Sequence, residues 1–503
     1  MSALPNKKTL PLYLLAPLLG GLYCLGFAPI GWWPATLIAV AGLFHLLNQT
    51  RIKVGLAAWL FGLGKYGVGV SWVYVSINAY GGASVGLAML LVALFVLFVS
   101  ALFCWPLGWL YGRFRTLAPW QNLTLFAGIW TFFDWALTWF LTGFPWLYAA
   151  NTLLETQFSG WLPVLGVVGA SGVMVFSAGA LTLAVAHPPR RFGFLVAALL
   201  PWVGGAMLGQ VAWVQPASHH TVALIQGNLD QNLKWQPGQS HSNYRQHRRL
   251  TEPNWDAELI VWPEAAITEF GQRGQTWIEE LASKAKQSRT SLIVGMPEVE
   301  VHGDRYRFYN MALGLGEAKG RFRKHHLVPF GEYIPFEGLL RGLIQFFDLP
   351  MSANSAGAPD QSNLQSRFGE IAMAICYEVA YPESMRRSAE TAGVLATISN
   401  DTWFGASFGP HQHLEIARAR ALENGRWLLR ATNNGLTAIV KFDGTIVDVL
   451  PQFEAGVLRG SFEVMTGRTP YNLWGHQPLF AGWLLLLFML RRAALARRAA
   501  DRV

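Results

Sequence analysis

The sequence predicts two architectures in one chain: a polytopic α-helical membrane domain of eight transmembrane helices, and an α/β domain set between the seventh helix and the eighth. Three observations predict it. Of 503 residues, 52% are hydrophobic, 22 are Trp and only 14% are charged, which is too apolar for a soluble enzyme of this length. Basic residues fall in every second loop between apolar runs. The one long polar segment, 215–476, alternates short β-rich runs with helical patterns.

The apolar runs cover residues 10–28, 33–48, 55–78, 84–110, 120–138, 161–186, 193–213 and 478–490. A span needs about 20 apolar residues, and the second and the last are short by that measure. Lys7, Lys8, Arg51, Lys53, Arg113, Arg115, Arg190, Arg191, Arg491, Arg492, Arg497, Arg498 and Arg502 lie in alternate loops, and the intervening short loops carry no Lys or Arg. Positive charge stays on the cytoplasmic side, so both termini are expected in the cytoplasm and residues 215–476 in the periplasm. The first run has no small-residue cleavage site and seven more follow, which argues against a signal peptide. The resulting division is 1–214 as a seven-helix membrane domain, 215–476 as a periplasmic domain, and 477–503 as a last helix with a basic tail. This division also disposes of the net charge of +9, because residues 215–476 hold 25 Lys and Arg against 27 acids. A basic nucleic-acid face is unsupported.

Within the membrane part, Gly62, Gly64, Gly67 and Gly69 allow close approach of a neighbouring helix or a lipid chain. Lys65 and Asp134 are charges deep in apolar runs, and such charges are costly unless paired, so a Lys65–Asp134 pair is expected. Trp139, Phe144, Trp146 and Tyr148 in LTGFPWLYAANT are expected at headgroup level.

In the polar segment, TVALIQGN, ELIVWPE, SLIVGMPE, YNMALGL, IAMAICYE, VLATISND and TAIVKFDG read as strands, and 411–426 as an amphipathic helix. Residues 335–364 do not fit the alternation. An apolar stretch with Leu339, Leu340, Leu343, Ile344, Phe346 and Phe347 leads into a Ser, Ala, Gly and Pro loop, the pattern of a lid, an interfacial element or simple core burial.

The chemistry turns on Cys376. The apolar strand IAMAI ends there and a helix is expected to begin, so the thiol sits at an elbow where free helix N–H groups favour the thiolate. Cys24 and Cys104 lie in apolar runs, so the polar segment has one cysteine and no internal disulfide. A small buried core residue is the other reading of Cys376. Glu264 in VWPE and Lys324 in RFRKHHLVPFGEY also end apolar strands. Carboxylate, amine and thiol are the minimum set for acyl transfer through a thioester: a base, an oxyanion stabiliser and a nucleophile.

Together these segments resemble the nitrilase superfamily of carbon–nitrogen hydrolases, with a Glu, Lys and Cys triad on an α-β-β-α sandwich. The order of seven spans, a nitrilase-like domain and one more span is similar to the apolipoprotein N-acyltransferase family. So are the strings GVGVSWVYVSI, LTGFPW, QGNLDQNLKW, VWPEAAI, KHHLVPFGEYIP, ICYE, SNDTWFG, GPHQHLEIARARALENGR and LLRATNNG. The resemblance implies Glu264 as general base, Lys324 as oxyanion stabiliser and Cys376 as nucleophile. It implies Glu332 and Glu378 as supporting carboxylates, and Trp235 and Tyr377 near the acyl and substrate pocket. A helix-start acid would equally account for Glu378, and core packing for Trp235. His325 and Leu137 depart from the family pattern, where Asn and Arg are common. The implied reaction is ping-pong. A phospholipid acyl donor, phosphatidylethanolamine, gives its sn-1 chain to the cysteine, and the α-amine of a diacylated apolipoprotein acceptor receives it, with no metal and no cofactor. A membrane-tethered amidase or nitrilase with water as second substrate is the alternative; a non-catalytic scaffold would have lost the triad.

Overall fold

A computed structural model describes residues 9–116, 118–302, 305–334 and 354–500. The chain divides into two compact units: Met1–Ser71, Met89–Ala212 and Trp474–Val503 form one, and Trp72–Ala88 with Trp213–Leu473 form the other. The six apolar residues expected to shape the 335–364 segment lie outside the described residues.

The first unit is helical. Val85–Phe114, Gln157–Ala186 and Pro188–Leu208 are long and apolar enough to cross a membrane, and Leu10–Cys24, Trp33–Leu47 and Gln477–Met489 are apolar but shorter. Helices also occupy two more of the expected stretches, at Val54–Gly69 and Pro119–Ala136. The run expected over 55–78 breaks after Gly69.

Small residues allow a close helix crossing. A Cβ at Gly64 would overlap the Pro17 carbonyl and one at Gly20 the Phe61 carbonyl, whereas one at Gly67 would meet nothing within 4 Å. Lys65 and Asp134 line one small cavity and are both buried. They form no direct ion pair, contrary to expectation. Asp134 accepts the Trp130 indole N–H at 3.0 Å, and the Lys65 ammonium lies 4.9, 5.2 and 5.6 Å from the ring centres of Tyr23, Tyr66 and Trp130. The ammonium is thus held by cation–π contact with three rings. Trp146 and Tyr148 are buried in the unit, while Trp139 is half exposed.

The second unit is built on two six-stranded sheets. The first has the order β12-β1-β2-β3-β4-β5, with β1 Val214–Gln226, β2 Leu259–Val261, β3 Ser291–His302, β4 Arg305–Gly316, β5 Arg321–Arg323 and β12 Gly456–Gly467. The second runs β11-β10-β9-β8-β7-β6, with β6 Leu364–Ser366, β7 Gly369–Ile375, β8 Val394–Ser399, β9 Leu428–Thr432, β10 Thr437–Val440 and β11 Ile446–Leu450.

Alternation along each strand divides its residues between two faces. Val222, Leu224, Val261 and Ile293 from the first sheet share a core with Met373, Ile375, Ala396, Ile398 and Leu429 from the second. Ala223, Ile225, Ile260 and Val294 point the other way, onto Tyr244, Trp277 and Leu281 of the helices Ser240–Thr251 and Gly271–Gln287. Each fully buried Val, Leu or Ile among them contributes about 1.5–3 kcal/mol. The result is the layered α/β sandwich, whose strand ends deliver the polar residues described next.

Residues Trp72–Ala88 complete this unit. The Trp72 ring meets Phe404 edge-on at 4.6 Å, Tyr80 meets Trp403 at 5.9 Å, and Ser76 Oγ donates to the Trp403 carbonyl at 2.8 Å.

Candidate active site

Cys376 follows β7 directly and has φ +54°, a left-handed conformation that costs an L-residue about 1–2 kcal/mol. It opens a five-residue 3₁₀ turn, Cys376–Ala380, and the next helix is Pro382–Ser388, so the expected elbow is present with a tighter turn than an α-helix start. Glu378, two places on, reaches back to take the Ile375 N–H at 2.9 Å and also accepts the His325 and His326 N–H groups at 2.6 and 3.0 Å. One buried carboxylate therefore ties the elbow to the loop after β5. Burial pushes Glu378 up to about 7, against the three N–H donors that pull it down.

Lys324 stands just past β5, with its N–H donated to the Asn310 carbonyl on β4 at 2.8 Å. Its ammonium is 1% exposed, 2.8 Å from Glu332 Oε1 and 3.5 Å from Glu264 Oε1. Burial pulls the lysine down, but Glu332 and then Glu264 and Cys376 outweigh it, so the proton is held more tightly than on an ordinary lysine. Glu332 is fixed by its own turn, where Oε2 takes the Val328 N–H at 2.9 Å. Asn310 joins the two carboxylates, donating from Nδ2 to Glu264 at 2.6 Å and to Glu332 at 3.5 Å.

Glu264 leaves the end of β2 beside Ala265, another positive-φ residue. Its carbonyl accepts from the buried Lys234 ammonium at 3.2 Å, and burial brings that lysine down to about 8. Trp235, next in sequence, is half-buried on the same loop. The loop is held by Asn433, whose side chain takes the Leu229 N–H at 3.0 Å and donates to the Leu229 carbonyl at 2.8 Å. Tyr377 packs edge-on to Tyr381 at 5.3 Å, and Tyr381 stacks on His326 at 3.8 Å.

Glu264, Lys324 and Glu332 thus meet in one buried cluster, and the charges of Glu264 and Lys324 both bear on the Cys376 thiol. Burial pushes the Cys376 thiol well above its ordinary range, Glu264 adds to this, and Lys324 opposes it. Helix N–H groups favour the thiolate, but at this turn of five residues desolvation outweighs them. Asn310, Lys234 and the buried His413 behind the elbow escaped the sequence reading. A polar residue inside an apolar strand, as in YNMALGL, is the one signal that points to Asn310. Among the described residues no group of three or more His, Cys, Asp or Glu is placed to hold a metal ion.

A protonated thiol, a neighbouring carboxylate and a fixed ammonium can together carry out acyl transfer at an ester or amide carbon. Comparison with known proteins agrees with that chemistry. Residues 221–471 match the carbon-nitrogen hydrolase family and residues 19–180 the apolipoprotein N-acyltransferase N-terminal domain. The chain is 42% identical to the apolipoprotein N-acyltransferase of Pseudomonas paraeruginosa over 96% of both chains. It is 41% identical to that of Pseudomonas syringae pv. tomato over 94% of this chain and 96% of that one, and 39% identical to that of Vibrio parahaemolyticus over 95% and 96%. With both halves matched and relatives aligned from end to end, the chain belongs to the apolipoprotein N-acyltransferase family.

Proposed function

We propose that the chain transfers a fatty acyl group by a ping-pong route, with Cys376 as nucleophile, Glu264 as general base and Lys324 as oxyanion stabiliser. The observation that carries this reading is the buried Glu264–Lys324–Glu332 cluster, whose charges bear on a buried cysteine at a strained elbow. Because burial keeps the thiol protonated, deprotonation accompanies attack: Glu264 takes the proton as sulfur bonds to the ester carbon. Lys324 holds the negative charge on the tetrahedral oxygen. Collapse expels the alcohol of a lysophospholipid, which takes the proton from Glu264, and leaves a thioester. The α-amine of a diacylglyceryl-cysteine then attacks, Glu264 accepts its proton, and the thiol is restored as the amide forms. Glu332 anchors Lys324, Glu378 ties its loop to the elbow, and Trp235 and Tyr377 flank the substrate.

The donor is phosphatidylethanolamine through its sn-1 chain, and the acceptor is a diacylated apolipoprotein. Eight transmembrane helices, cytoplasmic termini and a periplasmic catalytic domain at 215–476 place the site on the leaflet where both lipid-borne substrates diffuse; the alternating basic loops support this orientation. The test is intact mass after incubation with phosphatidylethanolamine. A gain of one acyl chain, absent in Cys376→Ala and discharged by a diacylated lipopeptide amine, is expected. Absence of the adduct, with fatty acid or ammonia released from soluble amides, would overturn the reading in favour of a tethered hydrolase.

A further inference from the structure

Behind the elbow lies a second charged group of residues that the triad does not use. His413, on the helix Gly409–Asn424, places Nε2 3.1 Å from the Cys376 carbonyl oxygen. A carbonyl only accepts, so Nε2 carries the proton. The other ring nitrogen, Nδ1, lies 3.0 Å from both Asp401 Oδ1 and Arg430 Nη2, and Arg430 pairs with Asp401 at 2.6 Å. Asp401 stands just past β8, in the turn Asp401–Phe404, and Arg430 is on β9, so a turn and a strand converge on one imidazole carried by a helix. His413 and Arg430 are 0% exposed and Asp401 is 1% exposed. Buried ion pairs of this kind stabilise a fold no better than apolar residues of the same volume, so stability alone gives little reason for them.

We propose that His413 is a positioning residue for the nucleophile, acting through its hydrogen bond to the Cys376 carbonyl, with Asp401 and Arg430 holding the imidazole in place; the proposal rests on Cys376 being the nucleophile. The peptide unit joining Cys376 to Tyr377 is planar and trans, so its C=O and N–H point in opposite directions. Fixing the carbonyl on His413 aims the Tyr377 N–H away from the buried charges. The N–H following an elbow nucleophile is a recurrent oxyanion donor. The same bond restrains ψ at a residue whose φ is already unfavourable, and so holds the backbone from which the thiol projects. Glu378 pins the strand end at Ile375, and His413 pins the peptide that follows the cysteine. With both sides held, the strained conformation persists without substrate.

The test is single-turnover formation of the Cys376 thioester from phosphatidylethanolamine in the full-length protein, normalised to sites that react with iodoacetamide, for wild type, His413→Leu and His413→Gln. The Gln amide nitrogen reaches where Nε2 stands; Leu has no donor. The Leu variant should acylate about 100-fold more slowly per reactive site. Its half-saturating phospholipid concentration should move by less than about threefold, and Gln should recover the rate to within about tenfold of wild type. Should the Leu variant fail to accumulate, His413→Asn, whose amide falls short of the carbonyl, takes its place. A donor-less variant that acylates at the wild-type rate per reactive site would overturn the proposal, as would a Gln variant no faster than Leu. A wild-type protein that forms no Cys376 adduct would remove the underlying reading as well, so the two failures are told apart by the wild-type lane.

Discussion

Neutralising Glu332 without changing its shape separates the electrostatic work of the cluster from its packing. In Glu332→Gln the Lys324 ammonium keeps a hydrogen-bond acceptor near 2.8 Å but loses one of its two carboxylates. Removing one partner of a buried pair costs about 3–5 kcal/mol. The amide oxygen returns about 1 kcal/mol of that, which leaves a loss of about 2–4 kcal/mol. For a domain of this size that corresponds to a fall in Tm of about 4–16 °C. The kinetic consequence follows from the remaining contact, Glu264 at 3.5 Å. With Glu332 neutral, the ammonium draws Glu264 toward itself and away from the thiol proton. The oxyanion stabiliser and the base are then both displaced, and thioester formation should slow by about 100-fold. Rapid-quench intact mass of the acyl adduct reads the rate, and thermal unfolding in detergent reads the stability. Acylation within about threefold of wild type, at whatever Tm, would refute the coupling of Glu332 to the chemistry.

Two further perturbations test other parts of the structure. Burial alone would raise Asp401, but Arg430 and His413 carry it down to about 2, well below the ordinary aspartate range. A depressed carboxylate contributes stability that is complete above its unfolded pKa and lost as pH falls through the folded one, so about 2 kcal/mol should disappear between about pH 4 and pH 2. Asp401→Asn should lack that component of the acid-unfolding curve, and an identical curve would refute the assignment. In the helical unit, Gly64→Leu should collapse the folded, monodisperse fraction on size exclusion, because even a Cβ overlaps the Pro17 carbonyl. Gly67→Leu, in open space, should leave it unchanged; equal behaviour of the two would refute the close crossing.

What could be read from the sequence was local. The apolar run ending at Cys376, the placement of Glu264 and Lys324 at strand ends, and the alternation of strands such as TVALIQGN all follow from residue order, and the folded chain has strands there. What escaped depends on pairing across the chain. Strand β12 finds its partner in β1 more than 200 residues earlier, with Val214 opposite Gly467, and no local pattern announces such a match. Asn310 becomes a link between Glu264 and Glu332 only because β4 carries it beside Lys324. The left-handed backbone at Cys376 carries no glycine to betray it. The resting ionisation of the thiol is not legible in the sequence, because it turns on burial, which residue order does not display. Trp146 and Tyr148 resembled interfacial anchors by composition, and tertiary packing buried them instead.

The pairing of β1 with β12 has a consequence for modularity. The polypeptide enters the sandwich at Val214 and leaves it at Gly467 on adjacent strands, about 5 Å apart, which is the geometry of a module spliced into a host chain. By that criterion residues 213–473 could be excised and the cut ends rejoined by a short linker. The module would nonetheless emerge wounded. Trp72, Ser76 and Tyr80, supplied from far upstream in the chain, cover Trp403 and Phe404, and Phe404 in turn lies 5.9 Å from the His413 ring. The splice is clean in the backbone and incomplete in the packing, so the sandwich is a domain by topology that depends for the cover over Trp403 and Phe404 on the chain into which it was inserted.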